Sequence, residues 1–207
     1  MGEITSLSVQ TKDKTRCNVY VDGKFCCGLS VETAMKHRLK PGMQVDAAFL
    51  EQIQLDGEKN AALSKALTFV TATQKTKKQV CDYLAKKGYL PVVIDYVISK
   101  MTDYHFLDDG AYAASYCNGA ATKKGKRLIR MELRGKGVGD DEIEEALGSV
   151  DEETQKNAAE RTMEKYMRGK TADRETLQKA FRYLLSKGFD YDLAREALRT
   201  VADIDED

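Results

Sequence analysis

The residues of this 207-residue chain best suited to proton transfer are the adjacent carboxylates Asp108-Asp109 and two histidines, His37 and His105. Directly ahead of a helix, the carboxylates have a simpler use. Asp108 can cap a helix beginning near Asp109, and acids in a first turn complement the helix dipole. Neither histidine has an evident orienting partner in the sequence, which a nucleophile–base pair requires. Arg134-Gly135-Lys136-Gly137-Val138-Gly139 has the glycine content of a phosphate loop. It follows no strand, however, and the next helix opens with Asp140-Asp141-Glu142, whose charge would repel a phosphate from the terminus that should bind it. The five cysteines (Cys17, Cys26, Cys27, Cys81, Cys117) contain no Cys-x-x-Cys pair and read as reduced packing residues rather than a zinc site. Every catalytic candidate thus has a better structural use, and neither enzymatic activity nor a cofactor or metal is expected.

The more informative constellation is basic. Lys75, Lys77 and Lys78 open one helix, and Lys123, Lys124, Lys126, Arg127, Arg130, Arg134 and Lys136 crowd a second. At roughly 100° per residue, Lys126, Arg127, Arg130 and Arg134 share one stripe beside the apolar pair Ile129 and Leu133. Such a stripe is a footprint of phosphate-backbone binding as well as an ordinary solvated face, and its recurrence in two segments brings the two readings level. Tyr104, Phe106, Tyr112 and Tyr116 lie nearby. Packing between helical units accounts for them, with base stacking as the sharper alternative.

The elements that must position these residues are mostly helices. Residues 1–56 read as a small α+β module: Cys17 to Val21 and Lys24 to Cys27 flank Asp22-Gly23, a strong hairpin signal, so three short strands are expected between residue 3 and about 28. Ser30 caps a following helix that Lys40-Pro41-Gly42 ends, and another helix is expected from about Asp46 to Leu55. Beyond residue 57 a phrase recurs three times: Tyr83 to Tyr89, Glu132 to Val138, and Tyr183 to Phe189. Its glycines, Gly88, Gly137 and Gly188, are 49 and 51 residues apart. Leucine stands four residues before each glycine (Leu84, Leu133, Leu184), and an apolar residue follows it (Tyr89, Val138, Phe189). A helix ending on lysine with glycine at C′, then a second helix, is the unit this implies. The expected architecture is mainly α, with three tandem three-helix repeats (57–105, 106–150 and 151–207, the last with an acidic tail) stacked into an elongated curved body.

Formal charge is zero, but it is segregated. Residues 75–137 carry thirteen basic against six acidic side chains, and residues 138–207 eleven against nineteen. A chain with a basic middle and an acidic end suits a partner bearing both signs, such as a protein–nucleic acid assembly. No apolar run is long enough to span a bilayer and no signal peptide is evident, so a cytoplasmic location away from membranes is expected.

Phe106-Leu107-Asp108-Asp109-Gly110-Ala111-Tyr112-Ala113, Lys124-Gly125-Lys126-Arg127-Leu128-Ile129 and Glu132-Leu133-Arg134-Gly135-Lys136-Gly137 together resemble the central signature of RecX proteins. The repeats around Tyr83-Leu84 and Tyr183-Leu184 are similar to that family's first and third three-helix units, and the hairpin module resembles the N-terminal extension of its longer members. The resemblance implies a regulator of the RecA recombinase, lodged on the RecA–single-stranded DNA filament. Such a regulator would inhibit ATPase, strand-exchange and co-protease activities in recombination, repair and the SOS response. On that reading the chain is a monomer when free, the basic stripe faces filament DNA or acidic RecA surface, and the acidic third repeat meets basic RecA surface. The alternatives are a helical-repeat protein that binds DNA without RecA, which predicts salt-sensitive duplex binding, and a protein scaffold, which predicts none.

Overall fold

The computed structural model describes residues 1–202; the acidic tail expected at 203–207 lies outside them. The chain forms two compact units, Met1–Thr73 with Val80–Phe106, and Gln74–Gln79 with the chain from Leu107 onward.

In the first unit, β1 (Gly2–Val9), β2 (Arg16–Val21), β3 (Lys24–Ser30) and β4 (Gln44–Val45) form one antiparallel sheet in the order β3-β2-β1-β4. The hairpin turns where expected. Asp22 and Gly23 both have positive φ, 49° and 75°, as a type I′ turn demands. Two-residue β4 was not foreseen, being too short to show a period of two. Helix α1 (Val31–Lys36) begins at Ser30, whose Oγ accepts from the Thr33 amide at 2.9 Å. It ends at Lys36, earlier than Lys40-Pro41-Gly42, because Arg38 already turns to φ 52°. Ile4, Val19, Leu29, Val45, Leu50 and Ile53 form part of the core between the sheet and the helices that follow.

The two helices expected on either side of residue 56 are one. Helix α2 (Ala47–Ala72) runs through Gly57 unbroken. Glycine costs about 1 kcal/mol in a helix interior, but here it serves close packing, since a Cβ at Gly57 would sit 3.2 Å from Thr33 Oγ1. Helices α3 (Lys77–Lys86) and α4 (Pro91–Asp103) follow. Tyr104 and Phe106, expected to be packed, are instead 66% and 53% exposed. Their helix has already ended and His105 takes φ 57°, which leaves no helical face to turn them inward.

The second unit holds α5 (Asp109–Ala120), α6 (Lys126–Gly135), α7 (Asp140–Gly148), α8 (Glu152–Met167), α9 (Arg174–Ser186) and α10 (Tyr191–Ala202). The recurring phrase is a Schellman motif at the ends of α3, α6 and α9. Gly88, Gly137 and Gly188 have φ of 85°, 84° and 85°. The next amide reaches back to the leucine carbonyl in each case: Tyr89 to Leu84 (3.2 Å), Val138 to Leu133 (3.1 Å) and Phe189 to Leu184 (3.3 Å). The invariant spacing of leucine, glycine and apolar residue is therefore the C3, C′ and C″ set of that motif.

Within the second unit the same joint is built twice. The turn at Gly188 seats on the start of α6, where the Gly125 amide donates to the Lys187 carbonyl (3.0 Å) and the Arg127 amide to the Gly188 carbonyl (3.1 Å). The buried Gln155 of α8 completes it. Its Oε1 accepts from the Lys126 amide (3.1 Å), and its Nε2 donates to the carbonyls of Ala121 (2.8 Å) and Lys124 (3.0 Å). The turn at Gly137 seats on the start of α3 in the same manner. Thr76 Oγ1 donates to the Lys136 carbonyl (2.6 Å), and the Lys77 amide donates to Asp109 Oδ1 (2.9 Å). Gly125 and Thr76 occupy the same place relative to the next glycine, and Gln155 and Asp109 play the same part.

Candidate functional site

Helix α5 is capped by Asp108, whose Oδ1 accepts from the Ala111 amide at 2.8 Å, as its position suggested. Asp109 is buried against the start of α3 rather than free in a first turn. Burial pushes its carboxyl above the ordinary value, opposed by the hydrogen bond from the Lys77 amide. Its role was hidden in the sequence because its partner lies 32 residues away. The carboxylate pair is therefore two caps for two helices. His37 packs edge-on against Phe49, with ring centres 6.3 Å apart, and His105 is exposed. Cys17, Cys27 and Cys117 are buried, and burial pushes the Cys27 thiol up to about 11. Among the described residues no group of three or more His, Cys, Asp or Glu side chains could hold a metal ion.

One face of α5 carries Tyr112 and Tyr116, four residues apart and stacked with ring centres 6.2 Å apart and planes 11° from parallel. The Tyr116 hydroxyl donates to Glu132 Oε2 (2.7 Å), and Lys124 Nζ donates to both Glu132 oxygens (2.6 and 2.8 Å). Lys124 and Lys136 also lie over the Tyr116 ring, at 5.9 and 5.5 Å. Burial opposes ionisation of Glu132, but the bonds from Lys124 and Tyr116 outweigh it and hold its carboxyl below the ordinary value. The bond to Glu132 in turn holds the Lys124 ammonium above its own. Beside this network opens a cleft of about 410 Å³, lined by Gln74, Tyr112, Ser115, Tyr116, Lys123 and Lys124 among others. Lys123 is exposed at its rim. Glu132, which organises the network, escaped sequence reasoning because it lies inside a run read for its positive charge.

The rest of the expected basic stripe has a different character. Ile129 and Leu133 are buried, so α6 turns as anticipated. The charged side chains beside them have partners within the unit. Lys126 Nζ donates to the Val150 carbonyl (2.8 Å) and Arg127 Nη2 to the Leu185 carbonyl (2.6 Å). Arg130 forms a bidentate pair with Glu144 (2.6 and 2.8 Å), and Arg134 Nε pairs with Asp140 Oδ1 (2.7 Å). Lys75, Lys77 and Lys78 stand at the start of α3, where a Cβ on Gly137 would fall 2.4 Å from the Lys78 Cβ. The structure thus gathers the expected residues, Arg134 apart, into two groups. Lys123, Lys124 and Lys136 surround the tyrosine pair, with the Lys75–Lys78 turn beside Lys136. Lys126, Arg127 and Arg130 line a separate cleft of about 600 Å³ with Leu185 and Tyr191.

Four family descriptions match in order along the chain: the regulatory protein RecX N-terminal domain at residues 2–46, and the first, second and third RecX three-helix domains at 62–101, 108–147 and 153–198. The chain belongs to the RecX family. It is 34% identical over 202 residues to the regulatory protein RecX of Bacillus subtilis (strain 168), covering 96% of this chain and 76% of that protein. The regulatory protein RecX of Clostridium perfringens (strain 13 / Type A) is also 34% identical, over 203 residues and 96% of both chains. Among solved structures, a crystal structure of regulatory protein RecX superposes with a TM-score of 0.72 at 26% identity, covering 94% of this chain and 98% of that one. RecX from Lactobacillus salivarius superposes with a TM-score of 0.64 at 26% identity, covering 70% and 97%. The mainly helical fold, with RecX three-helix domains behind a small sheet, is that of the RecX family. No helix among the described residues is long and apolar enough to cross a membrane.

Proposed function

We propose that this RecX-family chain is a non-enzymatic, cytoplasmic regulator that binds the RecA–single-stranded DNA filament as a monomer and inhibits its ATPase, strand-exchange and co-protease activities. Family membership supports the recombinase as partner. The observation that carries the nucleic-acid part is the cleft beside Tyr112 and Tyr116, edged by Lys123, Lys124 and Lys136. Single-stranded DNA offers phosphates to ammonium groups and base faces to aromatic rings, and this cleft presents both within one helix-supported patch. Arg127, Arg130 and Arg134 of α6 form a second basic surface, apart from this cleft. Glu144 and Asp140 hold Arg130 and Arg134, but exposed ion pairs contribute little net stability, so a phosphate can displace these carboxylates. Lys75, Lys77, Lys78 and Lys126 complete the proposed basic surface.

The test is RecA ATPase activity on single-stranded DNA, titrated with the wild-type chain, a Lys123→Glu/Lys136→Glu variant, and an Arg127→Glu/Arg130→Glu/Arg134→Glu variant. The wild type is expected to inhibit. The lysine variant should need about tenfold more protein for the same inhibition, the scale of one or two lost charge-assisted contacts. Undiminished inhibition by folded variants would remove the site, whereas no inhibition and no filament binding by the wild type would remove the function.

A further inference from the structure

The third repeat, acidic by residue count, presents an arginine-rimmed cleft between α9 and α10. Ala180, Ala194 and Ala197 are buried and let the two helices approach closely. The next row outward, Leu177, Phe181 and Leu198, is only half-buried and lines a cleft of about 540 Å³. Arg174, Arg182 and Arg195 line the same cleft, and all three are exposed.

The sign of this surface follows from where the acids are used. Residues 170–202 carry seven basic against five acidic side chains, whereas residues 138–169 carry four against ten, so the acidity lies mainly in α7 and α8. Of the five acids in residues 170–202, four are engaged. Asp173 accepts from the Thr176 amide (2.9 Å) and Asp190 from the Leu193 amide (2.9 Å), capping α9 and starting α10. Glu175 pairs with Lys179 (2.6 Å) and Glu196 with Lys156 (2.7 Å). The guanidiniums of Arg174, Arg182 and Arg195 have no hydrogen bond or ion pair among the described residues. The contrast with Arg130 and Arg134, each held by a carboxylate, is direct.

We propose that this cleft docks an acidic peptide segment of a partner protein, seating a large apolar side chain on Leu177, Phe181 and Leu198 while its carboxylates pair with Arg174, Arg182 and Arg195. Guanidinium forks match carboxylates with two parallel hydrogen bonds, and an apolar floor between two helices suits one face of an amphipathic helix. Nucleic acid fits less well. Phe181 and Tyr191 meet edge to face, with centres 5.2 Å apart and planes 81° apart, so they offer no parallel platform for bases. An oligonucleotide also has no aliphatic group larger than the thymine methyl to insert into the floor. The proposal stands apart from the filament reading, which rests on the second repeat.

The experiment is fluorescence anisotropy with the full chain and a labelled peptide of Glu, Asp, Leu and Phe in amphipathic helical order. Its amide counterpart (Gln for Glu, Asn for Asp) and an oligothymidylate serve as the other probes. The acidic peptide should bind, and its affinity should fall about tenfold in Arg182→Glu/Arg195→Glu, in the milder Arg182→Gln/Arg195→Gln, and in the amide counterpart, reflecting lost carboxylate pairing. Circular dichroism melting of both variants should match the wild type, and the glutamine pair carries the test if the reversal does not fold. Equal binding of the amide peptide, or undiminished affinity in a folded variant, would overturn the proposal. Oligothymidylate binding that depends on Arg182 and Arg195 would overturn it in favour of a nucleic-acid site.

Discussion

Gly125 and Gly188 touch backbone to backbone: a Cβ on Gly125 would lie 2.1 Å from the Gly188 carbonyl, and one on Gly188 would lie 2.3 Å from the Leu128 amide nitrogen. Each glycine is thus required by the other's segment, and Gly188 also by its φ of 85°. Gly88 has the same φ and open space around it. Gly88→Ala should therefore cost only the backbone preference, about 1–2 kcal/mol. Gly188→Ala should add a clash of about 1–3 kcal/mol. Urea unfolding of the two variants checks this, and equal losses would show that the joint yields to the added methyl.

Gln155 is 2% exposed and makes three hydrogen bonds to the backbone around the start of α6. Gln155→Ala strands the Lys126 amide and two carbonyls in a dry site, at about 1–3 kcal/mol for each group that water cannot reach. Hydrogen exchange should show the Lys126 amide losing protection first. Unchanged protection there would mean the joint does not depend on this side chain.

Two carboxylates of the second unit, Glu132 and Asp109, respond to pH with opposite signs. Glu132 has its folded pKa held below the ordinary 4.5, so its contribution is present above that value and is lost as pH falls through the folded one. Partial exposure limits it to under about 1 kcal/mol. The stability difference between the wild type and Glu132→Gln should be constant near neutrality and vanish in acid. Asp109 has its folded pKa raised above 3.8, so ionisation costs stability above that folded value and the cost is relieved as pH falls. Asp109→Asn should remove this opposing slope, which chemical denaturation across pH 3–7 would read as roughly a flattening.

Glu144 competes with phosphate for Arg130 if the arginines contact DNA. Glu144→Gln should then strengthen filament binding by a few-fold, most visibly at low salt where exposed charges are least screened. Anisotropy of labelled single-stranded DNA in the filament would measure it. Weaker binding would instead mean that Glu144 positions Arg130 and that the pair works as a unit.

Much of the frame was legible because its signals are local. Asp22-Gly23 marks its own turn, and Leu, Gly and an apolar residue at fixed spacing describe a Schellman motif completely. The division expected near residue 56 has no counterpart, because Gly57 sits inside one helix and allows a close approach to Thr33 that the sequence does not show. The basic stripe was legible as a helical face, but not its neutralisation. Arg130 and Glu144 are 14 residues apart and meet only once α6 packs on α7. The Arg174, Arg182 and Arg195 cluster was hidden for the converse reason, since a net count over residues 138–207 averages it with acids on other helices.

The joints that seat Gly137 and Gly188 draw on main-chain atoms and a few buried residues: Thr76 and Asp109 at the first, Gly125 and Gln155 at the second. A coupling of that kind is indifferent to what the outer faces carry. One copy of the unit can drift toward lysine and tyrosine, and the next toward acid and arginine, without renegotiating how they fasten. The segregated charge of this chain is the freedom such a connector permits: a common socket with exchangeable heads.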